Sequence, residues 1–477
     1  MNLGTRFWFA LKLLPALILP CSVHALEIQS PRTGSDLQSL DIVLLLKNCR
    51  TPSNSFFRVF LDGQPLDHSV PNSRSKKGSQ RARELGEHAL AVQLPRDIET
   101  GSHRLTAEAS CGGQAQSDSI LFTFQKRSIL ETAQALAQTG MIELRSDRAP
   151  WGFSQGLFAW GLVELSQVSD EREARLLRDW VQGYHFGWAQ RSAAPGQLDT
   201  PLEVFPALSG LLLGQASFAS VQAAADFLKN APRNSSGLLD RRGTDFWRRG
   251  SLAGISAEEM LGYLVFAAHW AQSQSDIEGL NQIAGAPRLF ANLLWDPKSG
   301  LYHQTWLELG NRVRNQGGGF QLRTQASVLL ALVSLLELVP ENSLERASLV
   351  RQAQGLAHHL SQHSLPVGAW SISTEDEGLL SGESTTTALI GAAFVRGVRL
   401  GVIDPQHLSV ARSAWNFLLS RVVEKSGSGS SSQSRLSVDQ VISWPAPSRG
   451  VRCLKEDLPH AVGAFLLFAA EWTRLGG

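Results

Sequence analysis

The chain has 477 residues, 43% of them apolar, with 44 lysines and arginines against 43 acidic residues and a formal net charge of +1. That length holds two domains, and the balanced charge without a basic block excludes the footprint that phosphate backbones demand, so no nucleic-acid partner is expected. Past the first residues every apolar run is cut by polar residues at helical spacing, so no membrane span is expected either.

Arg6 and Lys12 give a positive start, Leu13 to Leu19 an apolar stretch, and Val23-His24-Ala25 a small residue at a cleavage position. This is the pattern of a secretory signal peptide over residues 1–25, which predicts a periplasmic or secreted protein. Pro20 stands where lipid attachment to Cys21 needs a small residue, which argues against a lipoprotein. Cys49, Cys111 and Cys453 remain after cleavage.

Residues 26–126 read as short alternating segments bounded by turn residues, the signature of an all-β sandwich. Strands are predicted at Asp41–Leu46, at Phe56–Leu61 leading into the hairpin signal Asp62-Gly63, at His88–Leu94, at Arg104–Ala109 and at Ser119–Phe124. Thr100 to Thr106 resembles the turn and strand of bacterial immunoglobulin-like modules. Cys49 follows one strand and Cys111 another; if these are strands B and F of a sandwich, a Cys49–Cys111 disulfide follows, the alternative being two free buried thiols. Asn72 to Arg83, rich in Ser, Lys and Arg, reads as a solvated loop. No constellation in this segment looks catalytic.

From residue 127 to 477 the apolar period becomes helical. Twelve helices are predicted to begin near residues 128, 151, 171, 202, 216, 256, 276, 321, 342, 384, 404 and 458. Links into the even-numbered helices are long and links out of them short, so the helices form antiparallel hairpins. Even-numbered helices are apolar nearly all round, as in Ala388-Leu389-Ile390-Gly391-Ala392-Ala393, whereas odd-numbered ones such as Glu171–Gln190 carry a charged face. Six buried helices inside six amphipathic ones make an all-α (α/α)6 toroid. The long loops then gather at the N-termini of the inner helices around a central pit, where positive helix ends suit an anionic ligand such as a uronate carboxylate.

Glu383-Ser384-Thr385-Thr386-Thr387-Ala388-Leu389, continuing to Arg396-Gly397-Val398-Arg399-Leu400-Gly401, resembles the E-T-S-A-T-A-L helix and R-G-x-R-x-G continuation of the unsaturated uronyl hydrolases of glycoside hydrolase families 88 and 105. Ser299–Trp306, Pro366–Trp370 and Gly463–Leu467 agree in order. The resemblance covers most of residues 128–477. It implies a six-hairpin glycosidase acting on a 4,5-unsaturated uronic acid at the end of an acidic oligosaccharide or polysaccharide fragment. An acidic side chain protonates the enol ether, water adds beside the ring oxygen, and the glycosidic bond breaks through a hemiketal. No metal or organic cofactor is implied.

The chain departs from that family in two places. The family's catalytic aspartate lies in a W-x-D motif that opens the sixth helix; here the positions read Ser256-Ala257-Glu258. Its W-G-R-G-N-G-W segment reads Gln321-Leu322-Arg323-Thr324-Gln325-Ala326-Ser327, in which only the arginine survives. Glu258 is the candidate acid and Asp199 a second carboxylate, while Arg323, which can grip a carboxylate bidentately, leads the binding candidates. Trp306, Trp370, His303, His460 and Glu383 complete the pit.

Each has a structural alternative. Ser256 and Glu259 form a capping-box pattern, Glu383 and Asp199 sit where acids stabilise helix starts, and the histidines can be satisfied core residues. Trp160, Trp180 and Trp472 fall within helical patterns and are expected in the core. Two other functions stand beside the hydrolase. One is a non-catalytic toroid that binds polysaccharide or a secretion partner. The other is a polysaccharide lyase, which needs a base drawn from a rim histidine or from Tyr302, Tyr184 and Tyr263 being the other tyrosines.

Overall fold

The computed structural model describes residues 26–30, 36–37, 41–46, 56–66, 88–93, 101–111, 114–124, 128–191, 198–243, 253–315, 319–375, 382–425, 435–438, 441 and 459–476. The expected signal peptide, Cys49 with its proposed bond to Cys111, the Asn72–Arg83 loop and Cys453 lie outside the described residues.

Two sheets form the N-terminal part. One has the order β1 (Leu26–Ser30), β3 (Asp41–Leu46), β6 (His88–Gln93); the other runs β2 (Asp36–Leu37), β8 (Gln114–Phe124), β7 (Gly101–Cys111), β4 (Phe56–Leu61), β5 (Gln64–Pro65). The Asp62-Gly63 signal makes its turn, with both residues at positive φ, 50° and 81°. That is the mirror-image turn whose twist matches flanking strands. Val59, Leu105, Ala107 and Ile120 are buried, alternating along their strands.

Among the described residues twelve α-helices follow in the expected order: α1 (Ile129–Glu143), α2 (Phe153–Ser166), α3 (Glu171–Arg191), α4 (Ala207–Leu212), α5 (Ala219–Asn230), α6 (Val265–Ser273), α7 (Ile277–Leu294), α8 (Leu322–Leu338), α9 (Arg346–Gln362), α10 (Ser384–Arg399), α11 (His407–Leu419) and α12 (Pro459–Arg474). The even-numbered helices form a closed ring: α2 packs on α4, α4 on α6, α6 on α8, α8 on α10, α10 on α12, and α12 on α2. Odd-numbered helices back them from outside. The composition explains the two layers. Every residue of α10 from Ser384 to Gly397 is buried, whereas α3 buries only a stripe at helical spacing through Leu177, Trp180, Val181, Tyr184 and Trp188. Trp160, Trp180 and Trp472 are buried as expected.

Two inner helices depart from prediction at their starts. The fourth opens with a tight 3-10 turn, Pro201–Val204, and α4 itself begins only after Pro206. The sixth does not begin at Ser256, which instead ends the strand β9 (Gly254–Ser256); a wide π turn, Met260–Leu264, leads into α6. Of the expected capping box only one half forms, the Ser256 N–H donating to Glu259 Oε2 at 3.1 Å.

Opposite the long loops, the C-terminal ends of the inner helices are tied by charge. Arg396 on α10 donates to Glu471 on α12 (2.9 Å), Ser334 on α8 (2.8 Å) and Glu164 on α2 (3.1 Å). Arg399 joins Glu471 and Glu337, and Arg474 joins Glu471 and Glu164. Burial alone raises the Glu164 carboxyl, but Arg396 and Arg474 outweigh it and bring it down to about 2.

The ring closes where its first and last inner helices meet. A Cβ on Gly463 would stand 2.5 Å from the Leu157 backbone, and one on Gly161 would stand 2.6 Å from the Gly463 carbonyl oxygen. Because the obstructing atoms are backbone, they cannot swing aside. Gly463→Ala is therefore expected to lower the free energy of unfolding by roughly 1–3 kcal/mol, the range for overpacking a dense interior. Thermal or denaturant unfolding measures it; an unchanged midpoint would mean the α2–α12 seam is loose.

Candidate active site

The long-loop end carries a polar arc built from successive inner-helix starts. Its first member is delivered by a small sheet. β9 pairs with β10 (Thr305–Leu307), which also pairs with β11 (Arg312–Arg314), and the Ala257 N–H donates to the Gln304 carbonyl at 2.9 Å. Glu258 follows, half-buried ahead of the π turn. Thr324, in the first turn of α8, donates its hydroxyl to Glu258 Oε1 at 2.8 Å. Burial pushes the Glu258 carboxyl above the ordinary glutamate value, against the Thr324 and Gln304 hydrogen bonds and the nearby charges of Arg323 and Arg241.

Arg323 is 3% exposed, and its guanidinium pairs with Glu383 at 3.1 Å. Glu383 caps α10, accepting from the Thr386 N–H at 2.7 Å and the Thr386 hydroxyl at 2.6 Å. Burial opposes the Glu383 charge, but Arg323, Thr386 and His460 together hold its carboxyl below the ordinary value. His460, in the first turn of α12, lies 3.3 Å from the Ser154 hydroxyl on α2. Thus Glu258, Thr324, Arg323, Glu383, His460 and Ser154 join the starts of the sixth, eighth, tenth, twelfth and second helices.

Four predicted site residues, Glu258, Arg323, Glu383 and His460, are brought together in this arc. Arg323 differs from expectation in one respect: its charge already faces Glu383 instead of lying open for a ligand. Trp370 is fully enclosed, its indole N–H donating to the Leu360 carbonyl at 2.8 Å and its ring set edge-on to Phe394. It belongs to the core and offers no face to a sugar. Trp306 is also buried, its N–H held by Asn311 Oδ1 at 2.7 Å. His303 is half-buried with its ring 5.1 Å from Phe320. Asp199 precedes the 3-10 turn, where Glu203 supplies the carboxylate that accepts the Asp199 N–H at 2.7 Å. Tyr302 is 1% exposed and donates to Gln352 at 3.0 Å, and Tyr184 and Tyr263 are buried, so no tyrosine is presented as the base a lyase requires.

Sequence reasoning missed Thr324 and Gln304. For Thr324 the signal was present, since a polar residue in the first turn of a helix otherwise buried all round must face a polar partner; Gln304, in a loop between two short strands, carries no such signal. A separate cavity, lined by Leu136, Phe158, Leu436 and Val462, lies between α1, α12 and the strand Arg435–Val438, with Glu143 its one ionisable lining residue.

A closed ring of six inner helices, with an acid and an ion pair at their N-terminal ends, is the architecture of a six-hairpin glycosidase. The model of Glycosyl Hydrolase Family 88 matches residues 128–476, and the chain belongs to that family. Its fold is similar to a family 105 glycoside hydrolase from C. acetobutylicum ATCC 824 (14% identity, 72% of this chain and 99% of that one, TM-score 0.61). A possible family 105 member from Klebsiella pneumoniae gives 15% identity, 72% and 93% coverage and a TM-score of 0.58. The unsaturated glucuronyl hydrolase of Bacillus sp. GL1, responsible for the degradation of glycosaminoglycan, gives 15% identity, 73% and 96% coverage and a TM-score of 0.56. No curated protein matches the sequence.

Glu259 supplies a test of the site's electrostatics. It is buried, and desolvation, with Asp240 and Glu258 nearby, lifts its carboxyl from 4.5 to about 8 despite the Ser256 N–H and Arg241. A carboxyl whose folded value is raised favours the folded state while protonated, and that advantage fades as pH climbs from the unfolded value toward the folded one. Stability should therefore fall between about pH 4.5 and pH 8 by on the order of a few kcal/mol. Glu259→Gln should remove most of that slope in denaturant titrations run across this range; an unchanged slope would show that Glu259 is ionised throughout.

Proposed function

We propose that the protein is an exported hydrolase of unsaturated uronide oligosaccharides, with Glu258 as its general acid and the two N-terminal sheets an immunoglobulin-like accessory domain. The observation that carries this reading is the environment of Glu258: a half-buried carboxyl at the start of an inner helix, raised above its ordinary value by burial and held by Thr324. A general acid needs its proton at working pH and a fixed place from which to give it.

The chemistry balances on one carboxyl. Glu258 gives its proton to the enol ether carbon at C4, and water adds at C5 beside the ring oxygen, losing a proton that restores the acid. The resulting hemiketal opens and the glycosidic bond breaks. Positive inner-helix ends and the Arg241 charge beside Glu258 favour an acidic sugar over a neutral one.

A second reading, a toroid that binds acidic polysaccharide without cleaving it, draws support from one observation. Arg323, the single side chain kept from the family's W-G-R-G-N-G-W segment, is engaged by Glu383.

The conjugated double bond of an unsaturated uronate absorbs in the ultraviolet and its hydration product does not. Incubated with lyase-generated oligosaccharides from several acidic polysaccharides, the wild-type protein is expected to remove that absorbance. Glu258→Gln should slow the loss by roughly 10²- to 10⁴-fold, the usual contribution of a general acid. Binding without any loss of absorbance across the panel would favour the second reading, and a gain of absorbance from intact polysaccharide would identify a lyase.

A further inference from the structure

Thr324 is fully buried in the first turn of α8, and its hydroxyl donates to a residue outside its own helix, Glu258 Oε1, at 2.8 Å. A threonine this deep in a helix has few χ1 choices, so its hydroxyl is a stiff donor. A glutamate is the opposite, with one more torsion than an aspartate to leave its carboxyl undetermined. Both residues are departures from the family pattern that the sequence resembles: Glu258 stands where that pattern has the shorter aspartate, and Thr324 follows the retained arginine where the pattern has a glycine. In this chain the two departures touch each other.

We propose that Thr324 is a positioning residue for the acid, its hydrogen bond holding the longer glutamate side chain in one rotamer and sorting its two oxygens. With Oε1 accepting from Thr324, the transferable proton sits on Oε2. This inference rests on the assignment of Glu258 as the general acid. The other groups acting on Glu258 are Arg323 from α8, Arg241 ahead of β9, its neighbour Glu259, and the Gln304 side chain, which also bonds the carboxyl.

The bond can be tested through the titration of Glu258, which needs no substrate, and through the rate. In ¹³C-carboxyl NMR, the Glu258 signal is identified by its disappearance in Glu258→Gln. Thr324→Val keeps the shape but removes the donor that stabilises the carboxylate, so the Glu258 titration is expected to move up by roughly half to one pH unit. The alkaline limb of the pH–rate profile should follow it, and kcat should fall about tenfold with KM little changed, since a loosely held acid is often misplaced. Thr324→Ser, which restores the hydroxyl, should recover both the titration and the rate, and Thr324→Ala, which also lacks the donor, carries the same test if the valine variant fails to fold. A titration and profile unmoved in Thr324→Val, or equally altered in Thr324→Val and Thr324→Ser, would overturn the proposal and leave Thr324 a packing residue. If the wild-type protein leaves the chromophore intact while the Thr324→Val titration still shifts, the positioning bond stands and the hydrolase assignment fails.

Discussion

Arg396 holds the ring together at its base. Its guanidinium reaches three other inner helices, and the surrounding acids are shared with Arg399 and Arg474, so three arginines meet three glutamates in a largely buried network. Such a cluster adds little net stability over well-packed apolar side chains, but leaving one member without its partners is severe, on the order of 3–5 kcal/mol. Its value lies in specificity. Apolar helices can slide or rotate against one another at small penalty, whereas six matched charges fit in one arrangement. The R-G-x-R segment of the resemblance is thus a fastener at the far end from the polar arc.

With the base fixed, the opposite ends of the same helices are fixed too. The polar arc from Glu258 to Ser154 depends on this, because each link crosses from one inner helix to the next. The Arg323–Glu383 pair is the central link, buried, charge-balanced and reinforced by the cap on α10. It neutralises the charge that sequence alone would have offered to a substrate, and leaves the acid beside a compensated pair in place of an open cation. Around Glu258 this sets two opposing influences. Burial favours its protonated form, while the neighbouring donors and guanidinium charges favour the carboxylate.

Much of this was legible in the sequence because ring geometry translates directly into composition. A helix buried on all sides must be apolar on all sides, and the alternation of such helices with amphipathic ones announced two layers. The convergence of Glu258, Arg323, Glu383 and His460 followed from the same logic, since long loops feed the inner helices. Trp370 and Trp306 were misplaced because a segment between helices reads as exposed, whereas the loop of Trp370 and the short strand of Trp306 turn inward and find partners for the indole N–H in Leu360 and Asn311. The Ser256–Glu259 cap failed for a comparable reason: a strand pairing with residues some fifty positions later took over the segment, and no local pattern records that partner. Gln304 escaped notice because it matters only through Glu258, to which nothing in its own neighbourhood points, whereas Thr324 was betrayed only by being polar in the first turn of a buried helix.

The seam at Gly161 and Gly463 joins the first inner helix to the last one described. An arc lacking α12 would leave the apolar sides of α2 and α10, both packed on it, bare to water. Along a chain made from its N-terminus, nearly the whole domain must therefore be synthesised before the barrel can shut. Since the polar arc passes through His460 on that same helix, the arc and the closure would be completed by one event, and a chain released early would carry neither.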